Sequence, residues 1–224
     1  DLTKPLRLVP WFCLQAAHRM HRTRSIGVMG GGQLGRMLAH AAQRLGMRVT
    51  VLDPQADCPA AQVADAHIRA AYDDDQALDA LARCCDAVTT EFENVPARSL
   101  VRLAQAKPVR PSADAVAIAQ DRLLEKQFFI KQGIATAAFW QLDKPADGSH
   151  GASIEACHDA RFPAILKTRR LGYDGKGQIT VHTREELSQA WEKFNRVICV
   201  LEKRMDLDFE VSALVVRGHD DQVV

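Results

Sequence analysis

Apolar positions in this chain recur with two different periods, and the switching between them lays out the elements. Ser25-Ile26-Gly27-Val28-Met29 reads as a short buried strand. After a glycine turn, Leu34, Met37, Leu38, Ala41 and Leu45 fall at the i, i+3, i+4, i+7 and i+11 spacing of a helix packed on a sheet. Residues 48–52 give a second, β-branched strand. A short strand near 67–70, a helix over 75–83, a strand over 87–91, a helix near 97–105 and a short strand at Val109 follow. This alternation predicts a doubly wound, Rossmann-like parallel sheet over residues 25–111, ending where Pro108 and Pro111 punctuate the chain.

Beyond residue 111 the pattern changes. Ser112 caps a short helix, and Asp121 opens another that runs through Leu124 and Phe128. Strand patterns then cover 162–167, 178–182, 197–202 and 209–216, and a helix over 184–194 puts Leu187, Ala190, Trp191 and Phe194 on one face. Residues 112–224 therefore read as α+β, and the chain as a whole as α/β with two units. Residues 145–153 form a polar loop, and no repeat or low-complexity tract is present.

Composition bounds what such a chain does. With 47% hydrophobic and 25% charged residues, the 224 residues suit a soluble globular protein with a real core. Net charge is +1, unevenly spread: Lys4, Arg7, Arg19, Arg22 and Arg24 against Asp1 give residues 1–24 a charge of +4, leaving −3 on the rest. With no basic stripe and 6% aromatics, nucleic-acid binding finds no support. Residues 1–24 hold an apolar stretch followed by His18-Arg19-Met20-His21-Arg22. A secretory signal would place its basic residues first and end in a small-residue cleavage site, whereas a mitochondrial presequence is compositionally possible. The simpler reading is an N-terminal extension, expected to be poorly ordered. No apolar run is long enough to span a membrane, so a soluble, cytoplasmic protein is expected. Cys13, Cys58, Cys84, Cys85, Cys157 and Cys199 form no C-x-x-C pair and read as reduced core thiols.

Two glycine clusters carry the candidate chemistry. Ala164-Ile165-Leu166 is a strand that Lys167 closes, and Gly172-Tyr173-Asp174-Gly175-Lys176-Gly177-Gln178 follows shortly after. Glycines let backbone N–H groups approach an anion, and two ammonium groups offset phosphate charge, so the segment reads as a nucleotide triphosphate loop. It is not the Walker pattern, which occurs nowhere in the chain. The bland alternative is a β-hairpin whose Asp-Gly and Lys-Gly turns need positive φ. The second cluster places Gly30, Gly32 and Gly35 in G-x-G-x-x-G between strand and helix, with Asp53 some twenty positions on. By spacing alone this fits NAD.

Six segments occur in order: G-G-G-Q-L-G-R-M-L from Gly30, Glu91-Phe92-Glu93-Asn94-Val95-Pro96, Asp121-Arg122-Leu123-Leu124-Glu125-Lys126, Ile165-Leu166-Lys167-Thr168-Arg169-Arg170, the Gly172 to Gln178 loop, and residues 202–210. In that order they resemble the 5-(carboxyamino)imidazole ribonucleotide synthases of the ATP-grasp superfamily. The resemblance implies a pre-ATP-grasp domain over 25–111 and the N-terminal part of an ATP-grasp domain over 112–224. It also implies an ADP-forming carbon–nitrogen ligase of purine biosynthesis that uses ATP, bicarbonate, 5-aminoimidazole ribonucleotide and magnesium, through carboxyphosphate.

Carried over residue by residue, the resemblance gives ATP contacts to Arg122 and Lys167 and makes Gly172, Tyr173, Asp174, Gly175, Lys176, Gly177 and Gln178 the loop over the phosphates. Glu202, Lys203, Arg204 and Met205 would line the adenine, and Glu210 would take the ribose hydroxyls. Gly32, Gln33 and Leu34 would meet the ribonucleotide at a helix N-terminus. Glu91 and Glu93 would do so from one face of a strand end, and Tyr173, Asp174 and Lys176 from the loop. Lys176 stands where many relatives carry arginine, which keeps charge but loses bidentate geometry. Catalytic residues are unassigned, and no metal ligand is assigned. In this family magnesium ligands come from late strands, and after Glu210 only Asp220 and Asp221 remain. The expectation is therefore a truncated form, homodimeric when full length. Another ATP-grasp carboxylate–amine ligase, a Rossmann NAD-dependent dehydrogenase and a noncatalytic nucleotide-binding fragment remain open alternatives.

Overall fold

The computed structural model describes residues 23–143, 152–172, 176–218 and 220–223. The extension expected over residues 1–24 lies outside the described residues up to residue 22, as do most of the polar loop at 145–153 and the loop residues Tyr173, Asp174 and Gly175. The chain forms two compact units, Asp1–Gln120 and Asp121–Val224.

In the first unit, β1 (Ser25–Met29), β2 (Arg48–Leu52), β3 (Ala66–Ile68) and β4 (Ala87–Thr90) pair in parallel in the order β3-β2-β1-β4. Helices α1 (Gln33–Arg44), α2 (Asp75–Cys84), α3 (Ala97–Ala104) and α4 (Ala113–Ala119) complete it. Successive strand residues point to opposite faces, and the core divides accordingly. Val28, Val49 and Val51 pack with Ala39, Ala42, Cys58 and Ala60, while Met29, Leu52 and Val88 pack with Leu78, Leu81, Leu100 and Leu103. Covering both faces is what a parallel sheet requires. The expected short strand at Val109 is a single parallel bridge to Val88.

The expected face of α1 is corrected by the structure. Gly35, Ala39 and Ala42 are its buried positions, whereas Leu34 is 62%, Met37 60% and Leu45 76% exposed. Small residues let the helix lie close: a Cβ at Gly35 would stand 2.9 Å from the Gly30 carbonyl oxygen. Leu34, Met37 and Leu45 therefore line the outer side, while Leu38 is partly buried against the core. Helix α4, expected to open the second unit, falls within the first. Gln120 after it donates through Nε2 to the Glu93 carbonyl at 2.5 Å and to that of Val95.

The second unit holds α5 (Arg122–Lys131), β5 (Phe139–Leu142), α6 (Ala152–Glu155), β6 (Ala164–Thr168), β7 (Gln178–Val181), α7 (Arg184–Lys193) and β8 (Cys199–Lys203). Its sheet is antiparallel in the order β5-β8-β6-β7. Ala164, Leu166, Cys199 and Leu201 point into a core with Leu187, Ala190 and Trp191 of α7. The strand expected over 209–216 does not form: the segment is irregular, with Phe209 77% and Leu214 88% exposed. A strand needs a neighbour for its backbone hydrogen bonds, and the sheet edges β5 and β7 pair with none of these residues.

Candidate functional site

Asp121 organises the start of α5. Its carboxylate accepts the Leu123 and Leu124 N–H groups at 3.1 and 3.2 Å, as an N-cap should. The same carboxylate takes Arg169 Nε at 2.7 and 2.8 Å and Arg170 Nε at 3.2 Å. Burial alone would push the Asp121 carboxyl up, but the Arg169 hydrogen bonds, the helix N–H groups and the arginine charges hold it below its ordinary value. A depressed folded value means that the contribution to stability is complete above the ordinary carboxylate range near pH 4 and is lost as pH falls through the folded value. The second unit is thus expected to lose stability below about pH 4, and Asp121→Asn to flatten that slope, in denaturant titrations from pH 3 to 6.

From this anchored start, Arg122 turns back on the glycine loop. Its guanidinium donates to the carbonyls of Thr168 and Gly172, both at 2.7 Å, and its own N–H donates to the Arg169 carbonyl at 3.0 Å. A Cβ at Gly172 would sit 2.9 Å from that guanidinium and 3.0 Å from the Lys176 carbonyl oxygen, so a side chain there would push Arg122 from its place. The far end of the loop is tied by Thr168 N–H to the Gly177 carbonyl at 2.8 Å, with Gly177 at φ +73°. Lys176 is exposed, and Gln178 opens β7 opposite Lys167.

Strand register places Lys167 beside Glu202. Ile165 faces Glu202 across β6 and β8, and Lys167 lies two positions along on the same face, a diagonal neighbour within reach of long side chains. Lys167 Nζ donates to Glu202 Oε2 at 2.9 Å. Lys126, one helical turn after Arg122, approaches the same oxygen at 3.4 Å, donates to Thr136 Oγ1 at 3.0 Å, and lies 5.4 Å above the Phe139 ring. Burial pushes the adjacent Glu125 carboxyl up, against the pull of the Lys126, Arg122 and Lys167 charges. Lys126 and Glu125 were given no role from sequence. The i, i+4 spacing puts Lys126 on the same helix face as Arg122, but nothing along the chain sets it against Glu202.

The remaining second-unit candidates do not converge on this cluster. Lys203 and Arg204 N–H groups are taken by the Ala138 and Pro163 carbonyls at 2.8 and 3.1 Å, Met205 is half-exposed, and Glu210 lies exposed in the irregular 204–216 segment. A cavity of about 790 Å³ is lined by Asp121 and Asp143 with residues 168–171 and 196–198, and none of the residues assigned to a ligand contributes to it.

In the first unit the glycine loop is held from two sides by carboxylates. Asp53, buried, accepts Gly31 N–H at 2.8 Å, Gln55 N–H at 2.8 Å and the Tyr72 hydroxyl at 2.5 Å. Burial, with the Asp53 hydrogen bond and charge, pushes the Tyr72 hydroxyl up from its ordinary value. Glu91 accepts Gly32 N–H at 2.7 Å and also the N–H of Gly35. Its carboxylate sits on the α1 N-terminus, the seat a dinucleotide pyrophosphate would use, and Asp53 is likewise engaged. This removes the footing of the NAD alternative. Glu91 and Glu93 also do not share one face: β4 ends at Thr90, Glu91 turns to the glycines, and Glu93 is exposed with its carboxylate accepting from Asn94 Nδ2 at 3.0 Å. Gln33 and Leu34 are exposed on the first turn of α1.

No group of three or more His, Cys, Asp or Glu side chains that could hold a metal ion occurs among the described residues. Cys58, Cys85, Cys157 and Cys199 are buried as expected, whereas Cys84 is exposed, and none of the described cysteines forms a disulfide.

Two family models match in tandem: the ribonucleotide synthetase preATP-grasp domain over residues 23–120 and the ATP-grasp domain over residues 127–224. An N5-carboxyaminoimidazole ribonucleotide synthase of Staphylococcus epidermidis is 41% identical over 198 residues, 88% of this chain and 52% of the relative. One from Brucella melitensis is 44% identical over 201 residues, 89% of this chain and 54% of the relative. The chain is a homologue of the N5-carboxyaminoimidazole ribonucleotide synthases, with a preATP-grasp domain followed by ATP-grasp sequence.

The folds agree as well. The family's structure from Staphylococcus aureus, complexed with ADP, superposes with a TM-score of 0.81 at 38% identity, covering 89% of this chain and 52% of that one. An Aspergillus clavatus member in complex with ADP and 5-aminoimidazole ribonucleotide superposes with a TM-score of 0.78 at 29% identity, covering 90% of this chain and 52% of that one. The chain spans about half the length of the relatives it matches. Within the family's two-domain order, the carboxylate-held glycine loop lies in the pre-ATP-grasp domain, and the Lys167–Glu202 pair lies in the ATP-grasp domain.

Proposed function

We propose that this protein carboxylates 5-aminoimidazole ribonucleotide with ATP and bicarbonate, giving 5-(carboxyamino)imidazole ribonucleotide, ADP and phosphate. The observation that carries this reading is the second-unit cluster in which Lys167 reaches from β6 beside a glycine loop whose first carbonyl is gripped by Arg122. Transfer of the γ-phosphoryl group to bicarbonate releases ADP. The substrate amine then takes the carboxyl carbon of carboxyphosphate, phosphate leaves and the amine loses a proton. Such a sequence asks for charge compensation at the phosphates and exclusion of water from a labile intermediate. The Lys167 ammonium supplies the first, and Gly172 to Gln178 supplies the loop for the second, with Arg122 fixing where that loop begins.

Glu202, Lys203, Arg204 and Met205 then bound the adenine and Glu210 the ribose. In the first unit, Gly32, Gln33, Leu34 and Glu93 meet the ribonucleotide. Glu91 serves that site by shaping the loop from behind. Magnesium, when bound with ATP, would add to the charge compensation that Lys167 gives the phosphates. The unbridged cysteines suit a reducing cytoplasm, and no described helix is long and apolar enough to cross a membrane. The exposed apolar row of α1 is a surface that a homodimer could cover. Replacing Lys167 by Met removes one charge-assisted contact worth roughly 1.5–3 kcal/mol, so ATP affinity should fall about tenfold or more. Calorimetric titration decides it, and equal affinities for the two proteins would remove Lys167 from the nucleotide site.

A further inference from the structure

Glu202 is a nearly buried carboxylate with two ammonium groups on one oxygen, Lys167 at 2.9 Å and Lys126 at 3.4 Å, with side-chain exposures of 11%, 22% and 10% in that order. The two lysines are not equivalent. Lys126 is fixed by three independent contacts: the carboxylate, the Thr136 hydroxyl and the Phe139 ring. Among the described residues, Glu202 is the side-chain hydrogen-bond partner of Lys167, the more open of the two.

We infer that Lys126 is a positioning residue that keeps Glu202 neutralised so that Lys167 can exchange the carboxylate for a nucleoside triphosphate's phosphates. The inference rests on the proposed role of Lys167 in ATP binding. A buried carboxylate stripped of its cation is costly, so a single lysine shared between Glu202 and a phosphate would stay with the carboxylate. A second, immobile lysine removes that conflict. Glu202 remains paired with Lys126 while Lys167 swings away, and the Phe139 face, attractive to a cation, keeps Lys126 where it is. Without Lys126, Lys167 becomes the sole counter-charge of Glu202 and is withheld from the nucleotide.

A double-mutant cycle on the intact protein separates this from a packing role. ATP dissociation constants are measured by calorimetry for wild type, Lys126→Gln, Lys126→Arg, Glu202→Gln and the Lys126→Gln/Glu202→Gln double variant, with thermal midpoints recorded in parallel. Lys126→Gln should weaken ATP binding about tenfold or more, and Lys126→Arg, which keeps the charge, should stay within about threefold of wild type. In the Glu202→Gln background the carboxylate that pins Lys167 is gone, so adding Lys126→Gln should change ATP affinity by less than about twofold. Equal losses in both backgrounds would show a merely structural lysine, and unchanged affinity in Lys126→Gln would overturn the inference outright. If Lys126→Gln does not fold alone, the comparison of Glu202→Gln with the double variant still decides, a tenfold loss there being the refuting result. Failure of wild type itself to bind ATP would sink the nucleotide reading and this inference with it, an outcome distinct from the others.

Discussion

Replacing Asp121 by Ala is expected to destabilise the second unit by about 3–5 kcal/mol, the usual consequence of deleting one partner of a buried ion pair. Three groups lose their acceptor together: the Arg169 guanidinium, the Arg170 guanidinium and the first N–H groups of α5. Arg170 is half-exposed and recovers water, so most of the cost falls on Arg169 and on the uncapped helix. With a urea slope of about 1–3 kcal/mol per molar, the midpoint should drop by more than about 1 M. Because α5 carries Arg122 and Lys126, ATP affinity should fall with stability. A midpoint within experimental error of wild type would show that solvent reaches this pair and that α5 does not depend on it.

The second large effect is expected at Gly32, where a β-branched side chain should abolish ribonucleotide binding and leave ATP affinity within about twofold. A Cβ at this position would lie 2.6 Å from Glu91 Oε1, so Val would displace the carboxylate that shapes the loop. The ATP candidates stand in the other unit, on strands with their own core. Saturation binding of each ligand to Gly32→Val tests the separation. Loss of ATP binding with the ribonucleotide retained would reverse the assignment of the two glycine loops.

Much of this arrangement was legible along the chain, for physical reasons. Strand β6 announces itself because Ala164, Ile165 and Leu166 are consecutive and apolar with a lysine at the end. The caps at Ser112 and Asp121 were readable because their short polar side chains accept helix N–H groups three residues on or nearer. The inner face of α1 was not legible, because Gly35, Ala39 and Ala42 carry little hydrophobic weight and gain their burial from close approach. A pattern of large residues pointed to the opposite side. Strand β5 was missed because its four residues include Gln141 and lack a turn signal. The strand expected over 209–216 had the right composition but no neighbour, and pairing is a property of the fold that no single segment encodes. In the site, spacing located Glu91 at the end of a strand. It did not show that the backbone bends after Thr90, whose hydroxyl donates to the Phe92 carbonyl at 2.6 Å, and carries the carboxylate back to the glycines. Lys126 escaped notice because a lysine in a helix is ordinarily a solvated one, and only the third dimension sets it against Glu202.

The grip of Asp53 and Glu91 on the loop after β1 bears on the thermodynamics of recognition. A loop held by three N–H bonds to these carboxylates, at Gly31, Gly32 and Gly35, has surrendered conformational freedom before any ligand arrives. Association on such a surface carries little ordering entropy, so contacts formed there translate into affinity with small loss. Its signature would be a rigid lock rather than a closing hand: fast, single-phase association at this unit, with hydrogen exchange of the loop amides slow in the unliganded protein and scarcely slower in the complex.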